Sequence, residues 1–177
     1  HGLSWRADEL VLELAPDNPH ELRIETFGLQ HLRVADAPDI AYSAASLLLL
    51  VPLQASPQQQ PLELRGSELR ARIPVGTAED TLTTASLEVH AMLDPAAPRG
   101  RAAVSLSLAA DGIMLPSQDQ WPLGPRIESL ALQAAMNGPL SNAPSLRERV
   151  TAWRNGGGIL DLQHFETHWG PLGLNGK

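Results

Sequence analysis

The stretch "AAVSLSLAA", residues 102–110, decides the fold. Val104, Leu106 and Leu108 alternate with Ser105 and Ser107. A period of two over several residues puts the apolar side chains on one face of an extended strand and the serines on the other. A helix would scatter the same residues around its axis.

The pattern recurs on both sides of it. Upstream, "LEVHAML" (87–93) places Leu87, Val89, Ala91 and Leu93 opposite Glu88 and His90. "HELRIETF" (20–27) alternates Leu22 and Ile24 with Arg23 and Glu25, and "ELVLELA" (9–15) aligns Leu10, Leu12 and Leu14 opposite Glu13. Downstream, "ESLALQA" (128–134) repeats it with Leu130 and Leu132. Pro, Gly, Asn and Asp clusters at 15–20, 36–39, 54–61, 93–100 and 136–145 punctuate the runs as turns. Fifteen prolines favour frequent breaks and edges over long crossovers. The expectation is mainly β: roughly nine or ten short strands in a curved antiparallel meander sheet, half-barrel-like.

One helix interrupts this pattern, at about 145–155 in the C-terminal region. Ser145 followed by Glu148 forms a capping box, Leu146, Val150 and Trp153 recur at helical spacing, and Gly156, Gly157 and Gly158 stop it. Arg154 suits the negative end of the helix dipole. The helix is expected to pack on the sheet or close it.

The 177 residues make one ordinary domain, residues 1–177, with enough apolar content to bury a core. A net charge of −7 and the absence of any Lys/Arg run argue against a nucleic-acid partner. No cysteine is present, which removes disulfides, thiolate nucleophiles and Cys-type zinc sites together. The longest apolar run, "ASLLLLVPL" (45–53), is far shorter than the ~20 residues a spanning helix needs.

Little here resembles chemistry. "HFETH" (164–168) offers His164, Glu166 and His168, the weak candidates for a metal site. A zinc-protease helix needs His-Glu-x-x-His, whereas this order on a strand spaces neighbours ~7 Å apart along one face. Phe165, Thr167 and Trp169 then face inward, and a solvated strand face is the simpler reading. The glycines at 156–158 follow a helix and so cannot form a phosphate loop, and no Gly-x-Ser-x-Gly elbow exists. No catalytic residue, metal or cofactor is assigned, and the protein is expected not to be an enzyme.

The run "IAYSAASLLLLVPL" (40–53) is apolar on both faces: Leu47, Leu49, Val51 and Leu53 on one, Leu48 and Leu50 on the other. Such a strand is either covered on both sides, by the helix or a second sheet, or turned toward a hydrophobic ligand. In the second case Leu48 and Leu50 contact that ligand, with Trp121, Trp153 and Trp169 at the rim.

The tail "LRERVTAWRNGGGILDLQHFETHWGPLGLNGK" resembles an uncharacterised bacterial family, domain of unknown function 2125. The likeness rests on Trp153-Arg154, Gly156-Gly157 and the Trp169-Gly170-Pro171-Leu172 run. "WRADELVLEL" and the 40–53 stretch are similar to the family's amphipathic strands. The resemblance implies a bacterial envelope protein of which this chain is a part, periplasmic, with a tether to the inner membrane upstream. It implies no catalytic residue. A looser AsmA-like similarity implies an apolar inner sheet face that holds lipid. The resulting expectation is a non-enzymatic periplasmic module binding lipid or another hydrophobic ligand on that inner face. The alternative is a structural or assembly protein acting through protein contacts.

Overall fold

The computed structural model describes residues 3–34, 39–53, 59–75, 78–98, 100–116, 121–140, 143 and 145–176. The turn segments expected at 36–38 and 54–58 lie outside these residues. The described residues form one antiparallel sheet of ten strands and one helix: β1 (Leu3–Leu14), β2 (Glu21–Val34), β3 (Ile40–Ser43), β4 (Ser46–Pro52), β5 (Gln60–Val75), β6 (Ala78–Leu93), β7 (Ala102–Met114), β8 (Arg126–Asn137), α1 (Leu146–Asn155), β9 (Ile159–Trp169) and β10 (Leu172–Gly176).

Almost every strand pairs with its neighbours in sequence, as a meander of local hairpins does. β3 and β4 share one slot end to end between β2 and β5, with β3 against Leu29–Leu32 of β2 and β4 against Glu21–Thr26. β1 and β10 are the two edges. Two strands reach 16 residues each, longer than the short strands expected from the prolines.

Register places the apolar side chains on one side of the sheet. Leu12, Ile24, Leu49, Leu64, Val89, Leu108, Leu132 and Phe165 follow one another across eight paired positions. The rows on either side of this one read the same way, from Leu10, Thr26 and Leu47 to Ala110, Leu130 and Thr167. Leu47, Ala110 and Thr167 are buried, at 6%, 5% and 6% exposure. These side chains shield one another sideways, neighbours within a row lying about 4.8 Å apart.

Half-way along the strands the alternation changes phase. Glu68 has φ 48 and Gly112 φ 61, and Gly28 with φ 75 marks the same line on β2. Pairing continues through it, from Ser67↔Ser86 to Leu69↔Thr84, without a register change. Yet Leu69 lies on the side of Leu47: a Cβ on Gly66 would meet Leu69 Cδ1 at 2.7 Å and Leu47 Cδ1 at 3.1 Å. In an unbroken strand residues 66 and 69 face opposite ways. The left-handed residue turns the strand over and keeps the apolar side continuous. On β1 the adjustment is a bulge, where Asp8 accepts the Leu29 N–H at 2.8 Å. A second bulge, between Gln133 and Ala134 of β8 opposite β9, returns Phe165 and Thr167 to the apolar side after Leu160 and Leu162.

The helix forms as the sequence requires. Ser145 accepts the Glu148 N–H and the Glu148 side chain accepts the Ser145 N–H. The left-handed residue past its end is Gly157, with φ 83. Its packing differs from expectation, because α1 does not cover the sheet. Residues 147–152 are exposed, Val150 at 45%. The tie is Trp153, whose indole N–H donates to the Asn137 carbonyl at 3.0 Å while the ring lies against Gly158. With Val150 outward, Trp153 is the apolar contact that joins the helix to the strands among the described side chains.

Candidate functional site

Among the described residues, no second layer lies on the apolar side of the sheet. Total accessible surface is 11469 Å². A compact monomer of this mass exposes about 8,400 Å². The chain exposes roughly 3,000 Å² more than that, polar and apolar surface together. At the edges the apolar side chains are plainly in solvent: Leu10 44%, Leu12 59% and Leu14 54% on β1, Leu172 36% and Leu174 47% on β10. Between the edges most are half-buried, with Leu47 and Ala110 buried. Apolar side chains left exposed side by side along a sheet face are the kind of surface that marks a binding or interaction site.

On the opposite side, Leu48 and Leu50 emerge among polar neighbours. Leu50 lines an open trough of about 540 Å³ with Pro52, Pro61, Met92, Ser105, Ser107 and Gln133. This trough crosses the strands, touching β2 at Glu21 and β9 at Gln163. Leu48 lines a neighbouring hollow of about 310 Å³ with Phe27, Glu25 and Arg65. The two-faced apolar strand of the sequence is therefore open on both sides.

The tryptophans do not converge on these hollows. Trp121 and Trp169 meet each other, ring centroids 6.1 Å apart and tilted by 58°. Their N–H groups donate to the carbonyls of Pro116 and Gly124, each at 2.8 Å. Trp153 serves the helix instead.

His164, Glu166 and His168 share one side of β9, opposite Gln133, Ala131 and Ser129, with Thr167 buried behind them. His164 approaches Glu166 at 3.6 Å, and His168 Nδ1 lies 3.1 Å from the Ser129 hydroxyl. A tighter group forms elsewhere, and the sequence reading had not selected it: Glu63, Glu88 and His90, close enough to share one ion. Their carboxylates already face Arg65 and His90. Arg65 reaches Glu63 at 2.5 Å and Glu88 at 3.5 Å, while His90 lies 3.2 Å from Glu88 and 3.7 Å from Glu63. This is a surface charge network across two strands, of a kind worth little per pair. Glu88 and His90 are two apart in sequence, but Glu63 joins them only through the β5–β6 register, which no local motif reveals.

Beyond the phase change, the apolar side continues through Tyr42, Gln30 and Trp5. Gln30 is fully buried and accepts the Trp5 indole N–H at 3.3 Å. Burial raises the Tyr42 hydroxyl above its ordinary pKa of 10.0, and a hydrogen bond with Trp5 pulls it part of the way back.

No helix among the described residues is long and apolar enough to cross a membrane. No curated protein and no solved structure matches the chain. A family model does match, over residues 1–177, and the chain belongs to that bacterial family, described as uncharacterized protein conserved in bacteria, DUF2125.

Proposed function

We propose that this protein is a non-enzymatic module that binds a lipid or another hydrophobic ligand against the apolar side of its curved sheet. We place it in the periplasm, within an envelope protein tethered to the inner membrane. The observation that carries the reading is the uncovered apolar side running from Leu12 on β1 to Phe165 on β9. Burying such a surface under acyl chains gains roughly 25 cal/mol per Å² covered, before the costs of binding. Sheet faces need no catalytic group to do this, and none is assigned.

Native mass spectrometry of the purified protein, with organic extraction of whatever accompanies it, tests the reading. Co-purifying lipid is expected, as is uptake of an uncharged fluorescent apolar probe. Leu108→Glu and Leu132→Glu, each placing a charge in the middle of the apolar side, should each reduce that uptake severalfold. A clean apo mass together with no probe uptake would end the proposal.

One observation favours a second reading, assembly through protein contacts. β1 is a twelve-residue edge strand whose Leu10, Val11, Leu12 and Leu14 are all exposed. Unpaired strand edges are templates for pairing with another chain. Crosslinking through a photoreactive residue at position 12, in membranes, separates the two: a protein adduct supports assembly, whereas a lipid adduct alone supports the ligand reading.

A further inference from the structure

The far ends of β1 and β2 hold a group of side chains that neither reading uses. Ser4 pairs with Arg33 and Arg6 with His31 in the ladder. Alternation sets these four on the side away from Trp5 and Leu32, which pair with each other. They form a block of two by two positions, about 5 Å across the strands and about 7 Å along them. Together with Asp39 they surround a hollow of about 270 Å³.

The charges in this block are not balanced. His31 faces Asp39, Nδ1 to Oδ2 at 3.4 Å. Arg6 and Arg33 make no ion pair among the described residues. Two strands further on, Arg72 pairs with Ala41 and Arg70 with Ser43, and His31 also pairs with Ala41. The two arginines therefore stand on the same side as His31, and they too lack an ion pair among the described residues. This happens in a chain with a net charge of −7, where acidic partners are plentiful. Arg6 and Arg33 stand diagonally across the block, where their like charges repel unless something stands between them.

We propose that the hollow among Ser4, Arg6, His31 and Arg33 binds a phosphate group. Two guanidinium forks, an imidazole N–H and a hydroxyl supply donors on several sides of one anion. Arginine's planar fork suits the oxygens of a phosphate better than a point charge does. Either free phosphate or the headgroup of a phospholipid presents this chemistry. The site is on the side of the sheet opposite the apolar surface, so it stands or falls separately from the hydrophobic-ligand reading.

The test titrates the folded chain with inorganic phosphate by calorimetry. In parallel it floats the chain with phosphatidylcholine vesicles that do or do not contain phosphatidylglycerol. Saturable binding that weakens with added salt is expected in at least one arm. The double variant Arg6→Gln/Arg33→Gln should weaken it by about tenfold or more, as loss of two charge-assisted contacts does. Asp39→Asn, which removes the acid at the rim, should strengthen it. Arg126→Gln, an exposed arginine elsewhere, should leave it unchanged. Phosphate binding without vesicle binding assigns a soluble phosphate; binding to the phosphatidylglycerol vesicles alone assigns a membrane headgroup. No binding in either arm, or a double variant that binds like the parent, overturns the site. Uptake of the uncharged apolar probe should be the same in parent and double variant.

Discussion

Leu69 lies over Gly66, three residues back on the same strand, and beside Leu47 of the neighbouring strand. That contact exists because Glu68, between them, takes a left-handed conformation that carries Leu69 to the apolar side. Gly66→Val should therefore destabilise the sheet by about 1–3 kcal/mol, since its side chain enters space held by two leucines. Chemical denaturation followed by far-ultraviolet circular dichroism gives the number. A neutral effect would mean that Leu69 is not where the fold places it.

Glu68 itself has no steric reason to sit at φ 48. An L residue there costs about 1–2 kcal/mol, and glycine avoids that cost but adds freedom to the unfolded chain. Glu68→Gly should be neutral to stabilising by up to about 1 kcal/mol, whereas Glu68→Val should destabilise by more than about 1 kcal/mol. Paired denaturation curves check the opposite signs.

These residues also mark where the sequence stopped being legible. Period-two alternation named stretches of β1, β2, β4, β6, β7 and β8 and their apolar sides, but it named no strand over 60–86, and on β9 a bulge breaks the alternation between Leu162 and Phe165. Leu62 and Leu64 sit on one phase of β5, and Leu69 and Ala71 on the other. Read locally, this change looks like a turn between two short strands. It is a phase change within one strand, visible only once Gly28 on β2 and Gly112 on β7 are seen to adjust at the same level. The helix was legible for a simpler reason: its caps are contacts between residues three apart. Its failure to cover the sheet was not, since the direction Val150 faces depends on how Asn137 and Gly158 anchor Trp153. The candidate site divides in the same way. Leu48 and Leu50 could be read from strand parity, but the neighbours that make their hollows come from other strands. The Arg6, His31 and Arg33 block needs the β1–β2 register across a loop.

If α1 hangs on one side chain, its local stability is separable from that of the sheet. Trp153→Ala should speed amide hydrogen exchange throughout residues 147–155 and leave protection of β5 through β8 unaltered. Ser145→Ala removes the cap, costs the helix about 1 kcal/mol, and should do the same to a smaller extent. Loss of protection in the central strands would show that the helix supports the sheet after all.

The far wing should respond to alkali through Tyr42. Its hydroxyl titrates above 10.0 in the folded protein because burial disfavours the phenolate. In the unfolded chain the same group ionises at about 10. Below that pH both states hold the proton and the stabilisation is fully present. As pH rises from there toward the raised folded value, the unfolded chain loses its proton first and stability falls. The midpoint of thermal unfolding should therefore drop more steeply between pH 9 and 11 in the parent than in Tyr42→Phe, which has no proton to lose. Tyr42 is the sole tyrosine, so the ionisation can be followed directly by its absorbance near 295 nm. Parallel pH profiles for the two proteins would mean that the Tyr42 hydroxyl is solvated, and that the Trp5, Gln30 and Tyr42 packing is looser than described.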